Sequence, residues 1–401
     1  MKKIAIVYNQ SLKQVQGINF VNNSFVEGQK YFKNRGFELS SIFAPDGEFE
    51  ASYKEKLDLI GSDTVTKSYK RHRKIRLLLR DIFSSKYLIG ASLKFYLNHI
   101  RNAQLAVNKF ISKQEIFDYV IFQDDISAAY YLKIVPKDKR IKSILILHCS
   151  KEPLEQMRPI FPALFKNKFW IKWMNNNLDC VFKEVNKIVY LSKRTVNYSP
   201  VLDKKKTYIF NGEEDIMNHE FSEVHYPINF VSVASMAWRK GQDYVIEAIA
   251  KLPGDIRKQV NYHLIGAGPQ LQELKDLVVK YRLENNVFFY GSRNDVPDLL
   301  KDMDVFILPS QSEGLPMSII EALRQGMYIV ATDTGAIPEM ITPGCGELVE
   351  RNADKIAKTI EKIVRENVLS LDVKKCAREH YLKFFTLKNM IDKYCDVLES
   401  L

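Results

Sequence analysis

The sequence predicts an α/β protein of about two domains, built on parallel strands that are covered on both faces. Three observations predict it. The chain has 401 residues, 46% of them hydrophobic, which suffices for two ordinary cores. Short continuous apolar runs recur along it, such as Val305 to Leu308, and a strand buried on both faces reads that way. In its clearest stretch, Asp304 to Glu339, such runs alternate with polar loops and helical patterns, the order that a parallel sheet with helical crossovers requires.

In that stretch Pro309 ends the first strand, and Ser310 to Leu315 forms a small polar loop containing Gly314. Pro316 suits the first helical position, where its missing N–H has no partner to lose. The helix turns Ile319, Ile320 and Leu323 inward and stops at Gly326, and Ile329 to Ala331 is the next strand. Two carboxylates frame the helix start: Glu313 in the loop and Glu321 about one turn inside. Free amides between two carboxylates can hold a phosphorylated, polyhydroxylated ligand, the amides taking phosphate and the carboxylates taking hydroxyls. The plainer alternative is a loop Glu and a solvated helix Glu, since acidic residues favour helix starts.

Glu313 and Glu321, with the surrounding S-x-S-E-G-L-P-x-S-x-x-E-A and the following A-T-D-T-G-A-I-P-E, resemble the signature of family 4 glycosyltransferases (glycosyl transferases group 1). The resemblance implies a GT-B fold, two Rossmann-like doubly wound domains facing a central cleft. It implies a nucleotide-sugar donor, retention at the anomeric carbon and no required metal or other cofactor. Glu313 would then bind donor-sugar hydroxyls and Glu321 the ribose diol. Many members have a Gly-Phe-Gly-Leu loop where this chain has Gly314, Leu315, Pro316 and Met317. The amides from Leu315 to Ser318 remain suited to a diphosphate, and the sugar is left open.

Lys plus Arg number 59 against 48 Asp plus Glu, a net charge of +11, which favours anionic partners. The five cysteines show no C-x-x-C spacing, which argues for a reducing compartment and against a zinc site. The start MKKIAIVYNQ is too short an apolar run for a signal peptide, and no stretch reaches the ~18 apolar residues of a membrane span. A cytoplasmic protein is expected, possible also as a peripheral one on the inner face of the membrane.

Ile4 to Tyr8 is the first strand, and Gly17 in the loop after it would let backbone approach a ligand, or simply turn. Residues 67 to 80, KSYKRHRKIRLLLR, carry seven basic and no acidic residues, and Leu93, Tyr96, Leu97 and Ile100 continue an apolar helical stripe. From 161 to 174, Phe165, Phe169, Trp170 and Trp173 alternate with Lys166, Lys168 and Lys172. Each stretch, 67–100 and 161–174, reads either as a solvated or core-packed helix or as a contact with an anionic membrane surface. No helix-turn-helix, RNP or zinc-finger pattern supports nucleic acid.

Strands Asp118 to Gln123 and Ser143 to Leu147 follow, and the second ends in His148. A His at the carboxyl tip of a parallel strand faces the ligand crevice, or is a satisfied structural His. The resemblance places it near donor sugar and acceptor. Asp124 and Asp125 hold a similar position.

The domain change is expected near 205, with residues 1–205 binding acceptor, 206–384 binding donor, and 385–401 returning to the first domain. In the second half Lys240, before Gly241 at a helix entrance, is placed for a diphosphate. Matching family members usually carry an Arg five residues earlier; here that residue is Ser235, and Arg239 is the candidate replacement. Arg293, after the strand Val287 to Tyr290, could stack on the base. Asp302 and Asp304 form a D-x-D, but at the wrong end of their strand for a metal, so Asp304 is expected to cap backbone. The site is therefore His148, Lys240 and Glu313 as catalytic residues, with Gly17, Arg239, Arg293, Gly314, Leu315, Pro316, Met317, Ser318 and Glu321 on the donor. The acceptor would be a glycan or lipid-linked saccharide. The rivals are a nucleotide-sugar epimerase or hydrolase on the same fold, and a non-catalytic sugar-binding module.

Overall fold

A computed structural model describes residues 1–10, 18–50, 87–149, 153–218, 220–221, 224 and 226–401. Gly17 and the basic run 67–80 lie outside the described residues. The chain divides into two compact units, Met1–Ile209 with Met390–Leu401, and Phe210–Asn389.

The first unit is built on β1 (Lys2–Val7), β2 (Phe37–Ala44), β3 (Gly47–Glu50), β4 (Tyr119–Phe122), β5 (Lys142–Leu147), β6 (Lys187–Tyr190) and β7 (Lys206–Tyr208). They form one sheet in the order β3-β2-β1-β4-β5-β6-β7. All neighbours are parallel except β2 and β3. The second unit holds β8 (Ile228–Val233), β9 (Val260–Ile265), β10 (Val287–Gly291), β11 (Val305–Leu308), β12 (Tyr328–Ala331) and β13 (Gly346–Leu348). Their order is β10-β9-β8-β11-β12-β13, all parallel. β4 and β11 are buried along their whole length, which is why they read as unbroken apolar runs. Strand order reverses at β1 in one sheet and at β8 in the other. Loops leaving the carboxyl ends of β1 and β4, and of β8 and β11, therefore diverge and open a crevice in each unit.

The last helix, Leu387–Glu399, ends within the first unit. Tyr394 meets Phe25 edge-on at 4.9 Å between ring centroids, and Arg35 reaches both Asp396 and Glu399 at 2.9 Å. Gly28 is required beneath it, because a Cβ there would lie 2.6 Å from Ile391.

The apolar stripe expected at Leu93, Tyr96 and Leu97 is corrected by the structure. Helix Leu88–Phe95 buries Gly90, Ala91 and Phe95, whereas Leu93, Tyr96 and Leu97 are exposed. The helix passes into a π-helical turn, Tyr96–Ile100, before the helix Arg101–Ser112, which buries Ala103, Ala106, Val107 and Phe110. Of the expected stripe only Ile100, at the end of that turn, is half-buried against the cluster that holds Phe95. The aromatic run 161–174 takes the core-packed alternative for most of its rings. Phe161, Trp170 and Trp173 gather edge-on around Phe95 at 5.5, 5.6 and 6.1 Å, and only Phe169 of the four aromatics singled out there is exposed. Lys166, Lys168 and Lys172 stay exposed while Phe165, Trp170 and Trp173 are half-buried, so the run turns its rings toward the core and its charges toward water.

Phe95→Ala is expected to destabilise the first unit by about 3–5 kcal/mol in urea unfolding, since it empties the centre of this cluster. Leu97→Ala, on the exposed side, is expected to stay within about 0.5 kcal/mol.

Candidate active site

The crevice of the second unit is made by three loops that are held against one another. The loop after β8 ends in a 3-10 turn, Trp238–Lys240, and Gly241 at φ 75°. A Cβ on Gly241 would lie 2.3 Å from the Pro309 carbonyl, so only glycine lets the loops after β8 and β11 approach this closely. The loop after β12 makes the same approach: a Cβ on Gly335 would lie 2.0 Å from the Glu313 carbonyl. Backbone bonds tie the three together, Gln311 N–H donating to Arg239 O at 2.7 Å and Ala336 N–H to Gly314 O at 2.8 Å.

Within this frame Glu313 is buried, and its Oε1 accepts from Lys240 Nζ at 2.5 Å and from Ser310 Oγ at 2.6 Å. Ser310 is in turn held through its carbonyl by Thr332 Oγ1 at 2.5 Å. Among the described residues Oε2 of Glu313 has no protein hydrogen bond, so that oxygen is the one left for a ligand. Arg239 is exposed and points its Nη1 at the Ser312 carbonyl, 3.4 Å away, beside the same loop.

The helix that follows is Met317–Arg324, with Pro316 at the N-cap, one position earlier than expected. No side chain caps its first turn, which leaves the amides near Met317 and Ser318 to an anion. Glu321 is half-buried one turn in. Burial pushes its carboxyl up to about 7, against the opposing pull of Arg324. Arg324 is itself fixed, Nη1 reaching Glu213 Oε2 at 2.9 Å and the Glu214 carbonyl at 3.1 Å. Lys240, Arg239, Glu313 and the 314–318 backbone thus share one crevice, and Glu321 lies one turn along the helix that leaves it.

Arg293 lies after the edge strand β10, two strands from β8, and its guanidinium holds Asp295 at 2.7 and 2.5 Å. Asp304 caps backbone as expected: its Oδ2 accepts from Asn229 N–H at 3.0 Å at the amino end of the sheet. The role of Ser310 was not read from the sequence, although it sits in the quoted motif; its partner is set only by the fold of the loop.

In the first unit the tips of β4 and β5 bring Gln123, Asp124 and His148 together. Asp124 accepts from Ser127 N–H at 2.7 Å, Ser127 Oγ at 2.8 Å and Asn9 N–H at 3.1 Å. Burial still pushes its carboxyl up to about 7. His148 Nε2 lies 2.6 Å from Gln123 Oε1.

Residues 217–380 match the family described as Glycosyl transferases group 1, so the second unit carries the domain that the two glutamates pointed to. The O-antigen biosynthesis glycosyltransferase WclY of Escherichia coli is 27% identical over 226 residues, 54% of this chain and 62% of that protein. The lipopolysaccharide core biosynthesis mannosyltransferase LpsB of Rhizobium meliloti is 35% identical over 115 residues, 27% of this chain and 32% of that protein. The chain therefore aligns with less than two thirds of either relative's length. Among solved structures, Anabaena Alr3699/HepE in complex with UDP superposes with a TM-score of 0.69 at 16% identity, covering 100% of both chains. WaaG, a glycosyltransferase involved in lipopolysaccharide biosynthesis, superposes at 0.61 and 14% identity over 98% of this chain and 99% of that one. The two doubly wound units are thus the GT-B architecture.

Glu321 gives this crevice a pH signature. A carboxyl that titrates near 7 when folded and near 4.5 when unfolded binds protons more tightly in the folded state. Its favourable contribution is present below about 4.5 and is lost as pH rises toward 7. Chemical denaturation of wild type against Glu321→Gln is expected to show a downward stability slope in that window that the variant lacks; identical slopes would refute it.

Proposed function

We propose that the chain is a retaining glycosyltransferase that moves a hexose from a nucleotide sugar, a UDP-sugar by preference, to a glycan or lipid-linked saccharide in cell-surface polysaccharide synthesis. The observation that carries this reading is the buried Lys240–Glu313 pair at the mouth of the Met317–Arg324 helix. The names of relatives and neighbours, which include O-antigen and lipopolysaccharide transferases and a UDP complex, support the same class.

In this reading Glu313 Oε2 accepts from donor-sugar hydroxyls while Oε1 keeps Lys240 in place. Lys240 bridges that carboxylate and the donor diphosphate, and Arg239 and the first-turn amides of the helix share the phosphate charge. Together they stabilise the leaving group as the glycosidic bond breaks, which is electrostatic rather than covalent catalysis. Protein cations and amides supply the neutralisation, so no resident metal is invoked. Glu321 takes the ribose diol and His148 a saccharide hydroxyl. Attack occurs on the face that the diphosphate leaves, with a phosphate oxygen receiving the acceptor proton.

UDP-glucose is expected to raise the unfolding temperature of the wild type by mass action, and more than GDP- or ADP-glucose does. Glu313→Gln is expected to lower sugar transfer about 10- to 100-fold, the loss of a charge-assisted hydrogen bond of ~1.5–3 kcal/mol. Full activity in that variant would end this reading.

A cytoplasmic enzyme working at an anionic membrane face fits the surface of the first unit. Ile89 is 78% exposed, Leu88, Leu93, Tyr96 and Leu97 are exposed near it, and Lys94 lies among them; Phe169, flanked in sequence by Lys168, is also exposed. Apolar side chains bordered by lysines suit a headgroup boundary. Vesicles containing an anionic phospholipid are expected to sediment the protein at low salt, and Ile89→Asp to weaken that binding; no binding at low salt would remove the membrane from the proposal.

A further inference from the structure

The chain of side chains behind His148 has no place in the reaction as described, yet it is buried and directional. We propose that Asn22 and Gln123 are positioning residues that hold His148 in its Nε2–H tautomer, leaving Nδ1 as the ring's acceptor for a ligand hydroxyl. The inference rests on the sugar-transferase reading only for the nature of that ligand.

Gln123 closes β4 and is 2% exposed; Asn22, on helix Ile18–Glu27, is also 2% exposed. Gln123 Nε2 donates to Asn22 Oδ1 at 3.0 Å. With its donor end committed there, the amide turns its Oε1 toward His148 Nε2, 2.6 Å away. A carbonyl oxygen can only accept, so Nε2 must carry the proton. Burial pushes the imidazole down to about 4, so at neutral pH the ring has one proton and that proton is already placed. Nδ1 is then a bare lone pair. Among the described residues it has no hydrogen-bond partner, and the ring is half-buried rather than sealed. A lone pair in this place orients a hydroxyl by accepting from it; the opposite tautomer would offer a donor and select a phosphate or carbonyl oxygen instead. The relay therefore decides which chemistry His148 recognises, without Asn22 or Gln123 touching the ligand. Asn22 Nδ2 is itself buried and unpartnered, and Tyr8 Oη in the same unit is likewise. These are polar atoms for which the sheet core has no use.

The test is a long-range proton–nitrogen correlation spectrum of the full-length protein labelled with 15N-histidine, His148 being assigned from the signal lost in His148→Gln. The expected pattern is a protonated Nε2 and an unprotonated Nδ1 in the wild type. Asn22→Asp, which keeps the acceptor for Gln123, is expected to preserve that pattern. Asn22→Leu frees the Gln123 amide to turn its NH2 toward the ring and is expected to shift His148 toward the Nδ1–H form. If Asn22→Leu fails to fold, Gln123→Leu serves: it removes the acceptor on Nε2 and is expected to change the tautomer pattern, and an unchanged pattern there would equally overturn the assignment. An Nδ1–H wild type, or an Asn22→Leu spectrum identical to wild type, would overturn the assignment. The readout needs no turnover, so a failure of sugar transfer would remove the proposed function and leave the tautomer result standing.

Discussion

The second unit depends on one interaction, the pairing of Lys240 with Glu313 inside the crevice where strand order reverses. Both side chains are nearly out of water, so neither can lose the other without leaving a buried charge unpaired. That constraint fixes the loop after β8 against the loop after β11. The close approach at Gly241 and Gly335 and the bond from Ser310 hold the same arrangement from three sides. A site held this way has its charges placed before a ligand arrives, which is the condition for electrostatic stabilisation of developing negative charge.

The two units solve one topological problem with different chemistry. Each sheet reverses its strand order at a central strand, and each reversal gathers polar side chains at the carboxyl ends of its strands. In the second unit they form an ion pair beside a helix start, which suits a charged ligand. In the first they form a neutral relay from Asn22 through Gln123 to His148, beside an Asp124 carboxyl that burial drives toward its protonated form. A site of neutral donors and acceptors suits hydroxyls. Buried hydrogen-bond chains of this kind couple their members, so the orientation of one amide sets the proton position of the next group.

The Glu313–Glu321 motif was legible because it is local. Strand β11, the 310–315 loop and the helix after it lie within one continuous stretch, and their composition reports burial, turn and cap directly. β2 and β3 were not legible: β2 (FELSSIFA) lies next to the sheet edge and, although mostly buried, mixes polar with apolar residues, so no clean run marks it. The face of residues 88–100 was not legible because it is Phe95, held against Phe161, Trp170 and Trp173, that marks the buried side, and those rings lie some 70 positions further on.

By itself the sequence determined the fold class, the alternation of strand and helix, and the identity of the charged groups at the second switch point. Those follow from apolar periodicity and from residues close in the chain. Only the tertiary structure decided that Lys240 and Ser310 share one oxygen of Glu313, that Gln123 stands behind His148, and which face of residues 88–100 meets solvent. Each of these joins side chains from separate segments, and hydrogen-bond direction and desolvation have no local signature until the sheets bring their partners together.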